Sequence, residues 1–266
     1  MKIEEIICKS ALSKSRLPGL DYSLNPYVGC MHQCKYCYAP SILRISRDEW
    51  EQTVKIKRNI PTILSKELRT KKPGNVGIST VTDPYQPIEK TYQLTHYCLE
   101  VLKKYDFPIS IQTRSDLVIQ DKDLIEQFSK AELMVSIGTL NDSHRKLLEP
   151  NSSSIPDRLK ILKIFSDSNV KTSVFFGPIY PTIKEDEIPK IMDLFIDLNV
   201  SEIMIDNLHL KPGIIKPIQD AIKGNERIEN FFTYNYMKEQ PKYQIIRKRI
   251  KEYLRDTSVT FQDAFD

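Results

Sequence analysis

Three cysteines fall within eight residues, in the segment Asn25-Pro26-Tyr27-Val28-Gly29-Cys30-Met31-His32-Gln33-Cys34-Lys35-Tyr36-Cys37-Tyr38. The spacing of Cys30, Cys34 and Cys37 is C-x3-C-x2-C. Three thiolates on one short loop can grip three irons of a [4Fe–4S] cluster, because soft sulfur ligands suit iron–sulfur chemistry. The fourth iron would have no protein ligand and would stay open to an exogenous one. A catalytic centre needs such an open position, and a structural site avoids it. The aromatic and apolar neighbours would shield the cluster and tune its potential. Two other readings use the same residues. A zinc site would take His32 as fourth ligand, at poor spacing between the cysteines. A Cys34-Lys35-Tyr36-Cys37 redox pair would have to open a helix in a thioredoxin-like unit, and would leave Cys30 unexplained. Cys8 and Cys98 read as ordinary thiols.

A loop of this kind needs a scaffold, and the rest of the chain supplies a repeating one. Of 266 residues, 40% are hydrophobic and 28% charged, which excludes a disordered chain. With 8 Gly and 16 Pro the sequence is neither collagenous nor a flexible linker. The length suits one α/β barrel or two small domains. Apolar, β-branched runs predict strands at 76–80, 108–112, 133–137, 170–176 and 202–206, with 21–26 as a further strand at the start. Helical patterns lie between them at 91–105, 121–130, 156–168 and 185–198. Taken near 76, 109, 133, 170 and 202, the strand starts are 24–37 residues apart, the length of one strand-plus-helix unit. Such units imply parallel strands with right-handed crossovers. The expected fold is α/β, an incomplete TIM-like (β/α)6 barrel over 1–212 with a C-terminal helical extension over 213–266. A doubly wound open sheet is the alternative. Either way, chemistry belongs at the C-terminal ends of the strands.

Lys+Arg 39 against Asp+Glu 35 gives a formal charge of +4, too mild to argue for a polyanionic partner. Two stretches are more basic. Residues 41–72 hold nine Lys/Arg against four Asp/Glu, and 238–255 hold seven against two. The second is also amphipathic, with Tyr243, Ile246, Ile250, Tyr253 and Leu254 on one face. Each reads as a solvated helix face, or more sharply as a contact for nucleic acid. No apolar run is long enough for a membrane helix, and the N-terminus has no secretory apolar region, so a cytoplasmic protein with no membrane partner is expected. An odd count of five cysteines, three of them clustered, speaks against a disulfide framework.

The cysteine segment, with Tyr36 as the aromatic before the last cysteine, resembles the signature of radical S-adenosylmethionine (SAM) enzymes. A closer resemblance is to the spore photoproduct lyase-like branch, also called DNA-repair-photolyase-like. It is carried by Asn25-Pro26-Tyr27, Tyr36-Cys37-Tyr38, Thr82-Asp83-Pro84-Tyr85-Gln86-Pro87-Ile88-Glu89, Thr113-Arg114-Ser115, Glu149-Pro150 and Arg158-Leu159, over roughly residues 20–210. The resemblance implies a partial barrel, one [4Fe–4S] cluster and one SAM, and an electron donor such as flavodoxin or ferredoxin. Reductive cleavage of SAM would give a 5′-deoxyadenosyl radical that takes hydrogen from a substrate. The substrate stays open among nucleic acid, protein and small molecule. A zinc-stabilised nucleic-acid-binding module without catalysis is the competing reading.

Placed on this chain, the family pattern makes Cys30, Cys34 and Cys37 the cluster ligands and Tyr36 the aromatic bordering SAM. Ser79, Thr80 and Asp83 stand where the methionine amino group is received; an ammonium, which only donates, needs acceptors there. Arg114 stands where related enzymes have a basic residue near SAM. Ser136 matches a small polar residue near the ribose. Pro178, in Phe176-Gly177-Pro178, would border the adenine. Tyr38 matches a tyrosine implicated in radical transfer. One departure is plain: the lyase uses a cysteine near the end of its second strand as hydrogen donor, and here that region reads Ser79-Thr80-Val81-Thr82.

Overall fold

Proline sets where several helices begin. A first-turn proline lacks only an N–H that the helix would leave unbonded anyway. Four helices start this way: α1 (Ala39–Leu43), α3 (Ile60–Glu67), α8 (Ile155–Phe165) and α9 (Ile188–Asp197). Between such helices, β-branched and aromatic residues fill the strands. The computed structural model describes residues 1–210, 213–226, 228–230, 232 and 241–264. The chain falls into two compact units: Met1–Gln33 with Tyr38–Met134 and Asp167–Lys171, and Cys34–Cys37 with Val135–Ser166 and Thr172–Asp266.

In the first unit, β2 (Leu12–Lys14), β3 (Tyr22–Leu24), β6 (Val76–Ile78) and β7 (Ile109–Thr113) are neighbours in that order. β2 runs antiparallel to β3, and the remaining pairs are parallel, with Leu24 opposite Ile78 and Ile78 opposite Ile111. Those three side chains are buried beside Leu99 and Leu102 of α5 (Leu94–Lys104). A small sheet of β1 (Lys2–Ile6), β5 (Thr53–Lys57) and β4 (Tyr27–Val28) completes the unit with α2 (Arg47–Gln52), α4 (Glu89–Tyr92) and α6 (Lys122–Ile125). β8 (Ala131–Ser136) has its first four residues in this unit and its last two in the second.

In the second unit, β9 (Lys171–Phe176), β10 (Glu202–Ile205) and β11 (Thr260–Asp263) are parallel. Buried Val174, Phe176, Ile203 and Ile205 form the core with Ile161 and Leu162 of α8 and Met192 and Phe195 of α9. Among the described residues its other α-helices are α7 (Asp142–Leu148), α10 (Ile215–Ile222) and α11 (Pro241–Leu254). The architecture is α/β with a mostly parallel sheet.

The predicted strands and helices recur with local differences. The helix expected over 91–105 is broken at Gln93, in left-handed backbone at φ 50°, so that α4 and α5 are separate. The helix expected over 121–130 is a 3-10 turn at Asp116–Asp121 followed by the single turn α6. Beyond α6 the Gln127 and Phe128 N–H groups reach back only three residues. Residues 213–266 hold α10 and α11, and also a strand that the helical expectation missed, β11, with Glu202 opposite Thr260. Residue 212 and residues 238–240 of the basic stretch lie outside the described residues. No helix among the described residues is long and apolar enough to cross a membrane.

The apolar face expected on the C-terminal segment is present in α11: Ile246, Ile250 and Leu254 are buried, while Lys248, Arg249 and Lys251 are exposed. Ile250→Ala should therefore destabilise the protein by about 2–5 kcal/mol in a denaturant titration. Lys248→Ala on the opposite face should stay within about 0.5 kcal/mol of the parent.

Candidate active site

The cysteine segment enters on a glycine. Gly29 has φ +91°, and a Cβ there would lie 2.4 Å from the Thr53 carbonyl oxygen, so only glycine passes this point without a shift. From Cys30 to Cys37 the chain makes turns but neither helix nor strand. The Gln33 N–H bonds the Cys30 carbonyl, and the Cys37 N–H bonds the Cys34 carbonyl. Cys30 and Cys34 are buried and Cys37 is half-buried. Among the described residues no three His, Cys, Asp or Glu side chains are gathered as a metal cage.

In the first unit this segment is held by the loop that follows β6. Gln86 is fully buried; its side-chain nitrogen donates to the Gly29 carbonyl at 3.2 Å, and its oxygen accepts the Met31 N–H at 2.9 Å. His32 is buried with Nε2 3.4 Å from Asp83 Oδ2, so the residue weighed as a zinc ligand faces a carboxylate. The Val81 N–H reaches the Asn25 side chain at 3.3 Å. Tyr27 donates its hydroxyl to buried Glu89. The quoted stretches Asn25-Pro26-Tyr27 and Thr82 through Glu89 are thus the two sides of one hydrogen-bonded clamp.

Asp83 is the loop's own staple. Its Oδ1 accepts the Tyr85 N–H at 2.9 Å and the Thr113 hydroxyl at 2.7 Å, and its Oδ2 accepts the Arg114 N–H at 2.9 Å. Burial alone would raise its pKa. The charge and hydrogen bond of His32, then the Arg114 N–H and guanidinium, outweigh burial and hold it at about 2. Tyr85 anchors the loop further, donating to Asp121 at 2.9 Å, and His96 Nδ1 meets the other Asp121 oxygen at 2.7 Å. Sequence reasoning passed over Gln86, Glu89, Asp121 and His96 as functional positions. Their partners stand between 7 and 62 residues away, and only the quoted run from Thr82 to Glu89 pointed at the first two.

Ser79 follows β6 directly, in left-handed backbone at φ 60°, a conformation that costs free energy and is found where a site needs it. Its hydroxyl and that of Thr82 are buried with no hydrogen-bond partner among the described residues. Leaving a buried hydroxyl unbonded costs about 1–3 kcal/mol. An external polar ligand at this strand end fits that deficit. Thr80 between them is half-buried.

In the second unit, Tyr36 is buried and donates its hydroxyl to Glu149. Tyr180 donates to the same oxygen at 3.0 Å, and the two rings meet edge to face at 6.3 Å. Arg158, fully buried, pairs with the other Glu149 oxygen and donates to the Ser136 carbonyl at 2.8 Å. The Lys35 N–H bonds the Leu148 carbonyl at 2.8 Å. Pro178 is buried two residues before Tyr180. Tyr38, by contrast, is exposed at the start of α1, and Arg114 is half-buried.

A mostly parallel α/β chain with polar residues gathered after a strand end has the architecture of enzymes that work at strand ends. Residues 24–195 match the Radical SAM superfamily, and the chain belongs to it. An uncharacterized protein of Methanocaldococcus jannaschii is 33% identical over 189 residues, covering 70% of this chain and 71% of its own. A Radical SAM Nalpha-GlyT isomerase of Pseudomonas phage M6 is 26% identical over 221 residues, covering 79% of this chain and 45% of the isomerase. In structure the chain is similar to spore photoproduct lyase complexed with dinucleoside spore photoproduct, with TM-score 0.67 and 13% identity, over 99% of this chain and 82% of the lyase. This chain is a radical SAM enzyme.

Glu89 gives the clamp a pH signature. Burial pushes its carboxyl up to about 7, against the opposing Tyr27 hydroxyl and the His96 and Thr95 N–H groups. A pKa raised on folding contributes stability that is whole below the unfolded value and lost as pH rises through the folded one. Between pH about 4.5 and 7 this group should withdraw roughly 3 kcal/mol of stability. In urea titrations across that range, Glu89→Gln should lose this component of the slope.

Proposed function

We propose that the enzyme binds one [4Fe–4S] cluster through Cys30, Cys34 and Cys37 on an incomplete (β/α)6 barrel, binds SAM beside it, and abstracts hydrogen from a substrate. The observation that carries this reading is the cysteine segment itself: three cysteines spaced C-x3-C-x2-C on one turn-only stretch, inside the matched region. When bound and reduced, the cluster would supply the electron that divides SAM into methionine and a 5′-deoxyadenosyl radical. Membership in the superfamily favours this over a zinc-stabilised binding module.

The chain's own residues bind and shield. Ser79 and Thr82 offer unspent hydroxyls to the amino-acid end of SAM, with Thr80 beside them. Asp83 lends its negative charge to the same strand end, but its oxygens are already engaged, so its larger work is to fix the loop. Arg114 balances a carboxylate there as a cation. Tyr36, Ser136 and Pro178 border the adenosyl end. Their burial would help keep water from a reactive radical. Tyr38, exposed after the last cysteine, is the proposed radical-transfer residue and faces solvent in this structure. A flavodoxin- or ferredoxin-type protein would deliver the electron, in the cytoplasm.

For the substrate class we favour a nucleic acid component. The structural neighbour is complexed with a dinucleoside, and α11 exposes Lys248, Arg249 and Lys251.

The test is anaerobic. Protein reconstituted with iron and sulfide, then given SAM and dithionite, should form 5′-deoxyadenosine. Cys34→Ala should form none and should not retain a SAM-binding cluster. Zinc in place of iron and sulfide, with no SAM binding, would sink the reading. If the substrate is a nucleic acid, log binding constant against log salt should be linear. Replacing Lys248, Arg249 and Lys251 by Gln should then lower the slope by up to about 0.7–0.9 per lost phosphate contact.

A further inference from the structure

Glu149 is the point at which three separate parts of the second unit meet. The cysteine segment reaches it through the Tyr36 hydroxyl. The stretch after β9 reaches it through the Tyr180 hydroxyl at 3.0 Å, and the Tyr180 N–H is bonded to the Gly138 carbonyl at 3.1 Å. The end of β8 reaches it through Arg158, which pairs with Glu149 and holds the Ser136 carbonyl at 2.8 Å. Ser152 donates to the same carboxylate at 3.2 Å. Glu149 and Arg158 are both buried, so neither charge is spent on solvent. Gly138 is packed so tightly that a Cβ there would lie 2.5 Å from the Pro178 carbonyl oxygen, which leaves the Pro178 stretch little room to move on its own.

A bundle of hydrogen bonds on one carboxylate can be mere core satisfaction. Two features argue for more. Each strand of the bundle ends at or next to a residue proposed above to border the adenosyl group: Tyr36, Ser136 and Pro178. In addition, two phenols share one oxygen, so moving either changes the hydrogen bond of the other. A carboxylate neutralised by one arginine and accepting two phenols sets relative positions, which a lone packing contact does not.

We propose that Glu149 is the positioning residue for the adenosyl side of the site. It holds Tyr36, the Ser136 end of β8 and the Pro178 stretch in one register, and Arg158 acts as its counter-charge. The inference rests on the assignment of cluster and SAM made above.

The experiment compares the reconstituted wild type with Glu149→Gln, Tyr36→Phe and Tyr180→Phe. Glu149→Gln keeps an acceptor oxygen, and each Phe variant removes one hydroxyl, so folding is preserved in at least one arm; far-UV circular dichroism and a thermal melt check it. The readouts are KM for SAM, kcat for 5′-deoxyadenosine formation, and the change that SAM makes in the electron paramagnetic resonance spectrum of the reduced cluster. Glu149→Gln should raise the SAM KM by about ten-fold, the loss of a charge-assisted hydrogen bond, with kcat changed far less. Each Phe variant should raise it by about three-fold, and combining either with Glu149→Gln should raise it by less than the product of the two single effects. The SAM-dependent spectral change should be altered in Glu149→Gln while iron and sulfide content stay at the wild-type level. A wild type that cleaves SAM, with folded variants equal to it in KM and spectrum, overturns the inference alone. A wild type that takes up no cluster and cleaves no SAM overturns the assignment of the site, and the inference with it.

Discussion

A turn-only stretch of chain cannot hold its own shape, and Cys30 to Cys37 is such a stretch. Fixing each backbone residue costs about 1–2 kcal/mol of conformational entropy, which helix or sheet bonds would ordinarily offset. Here the offset comes from outside the segment. Gln86 bonds the backbone on both sides of Cys30, using both ends of one amide. The Leu148 carbonyl takes the Lys35 N–H, and Glu149 takes the Tyr36 hydroxyl. Nearly every polar residue quoted from the run between Thr82 and Glu89 is spent on this restraint or on bracing the loop that applies it. A site must hold its ligands within a fraction of an ångström, and preorganisation of this kind is how a loop achieves it.

Three buried carboxylates brace the restraint, and each meets the cost of burial differently. Asp83 collects three donors and stands beside His32, and its pKa lies at about 2. Glu89 has a phenol and backbone N–H groups but no cation within the partners that act on it, so burial wins and its pKa rises to about 7. Glu149 has Arg158. The contrast follows from how a charge leaves water: donors and opposite charge must replace hydration, or the group takes up a proton. Asp83 is therefore a fixed charge, whereas the state of Glu89 changes within the ordinary pH range.

The parts of the fold that were legible were those written in apolar runs. Val76 to Ile78, Ile109 to Thr113 and Lys171 to Phe176 announce buried strands, and Pro156 announces a helix start; the helix expected from 185 opens instead as a 3-10 turn before α9. β1 and β5 were not legible because their sequences, KIEEI and TVKIK, alternate charge with apolar residues. The second lies inside a basic stretch that reads as a solvated face. β11 is only four residues long, and its parallel pairing with β10 joins positions nearly sixty apart. In the candidate site, the cysteine cluster was legible because its spacing stands in the sequence itself. The pairing of Glu149 with Arg158 was legible as two opposite charges able to meet across a loop, and the structure forms it. Gln86 and Asp121 were not legible as site residues, because a neutral amide or a lone carboxylate takes its meaning from a partner that only the fold supplies.

The strand end at Ser79 separates what this chain shares with its structural neighbour from what it does not. The resemblance implies a thiol near this position as the last hydrogen donor, and thiols give hydrogen atoms to carbon radicals readily. Residues 79–82 offer three hydroxyls and a valine instead. An aliphatic hydroxyl holds its hydrogen too strongly for that transfer, but it is a good hydrogen-bond partner. The two hydroxyls left unbonded there, on Ser79 and Thr82, accordingly suit binding better than termination of a radical. Cys98, the next thiol along the chain, is fully buried in α5, and burial pushes its pKa well above the ordinary range. Under the proposed reading, generation of the radical can be kept without the lyase's thiol at this strand end, and the final hydrogen would come from a donor other than these strand-end residues.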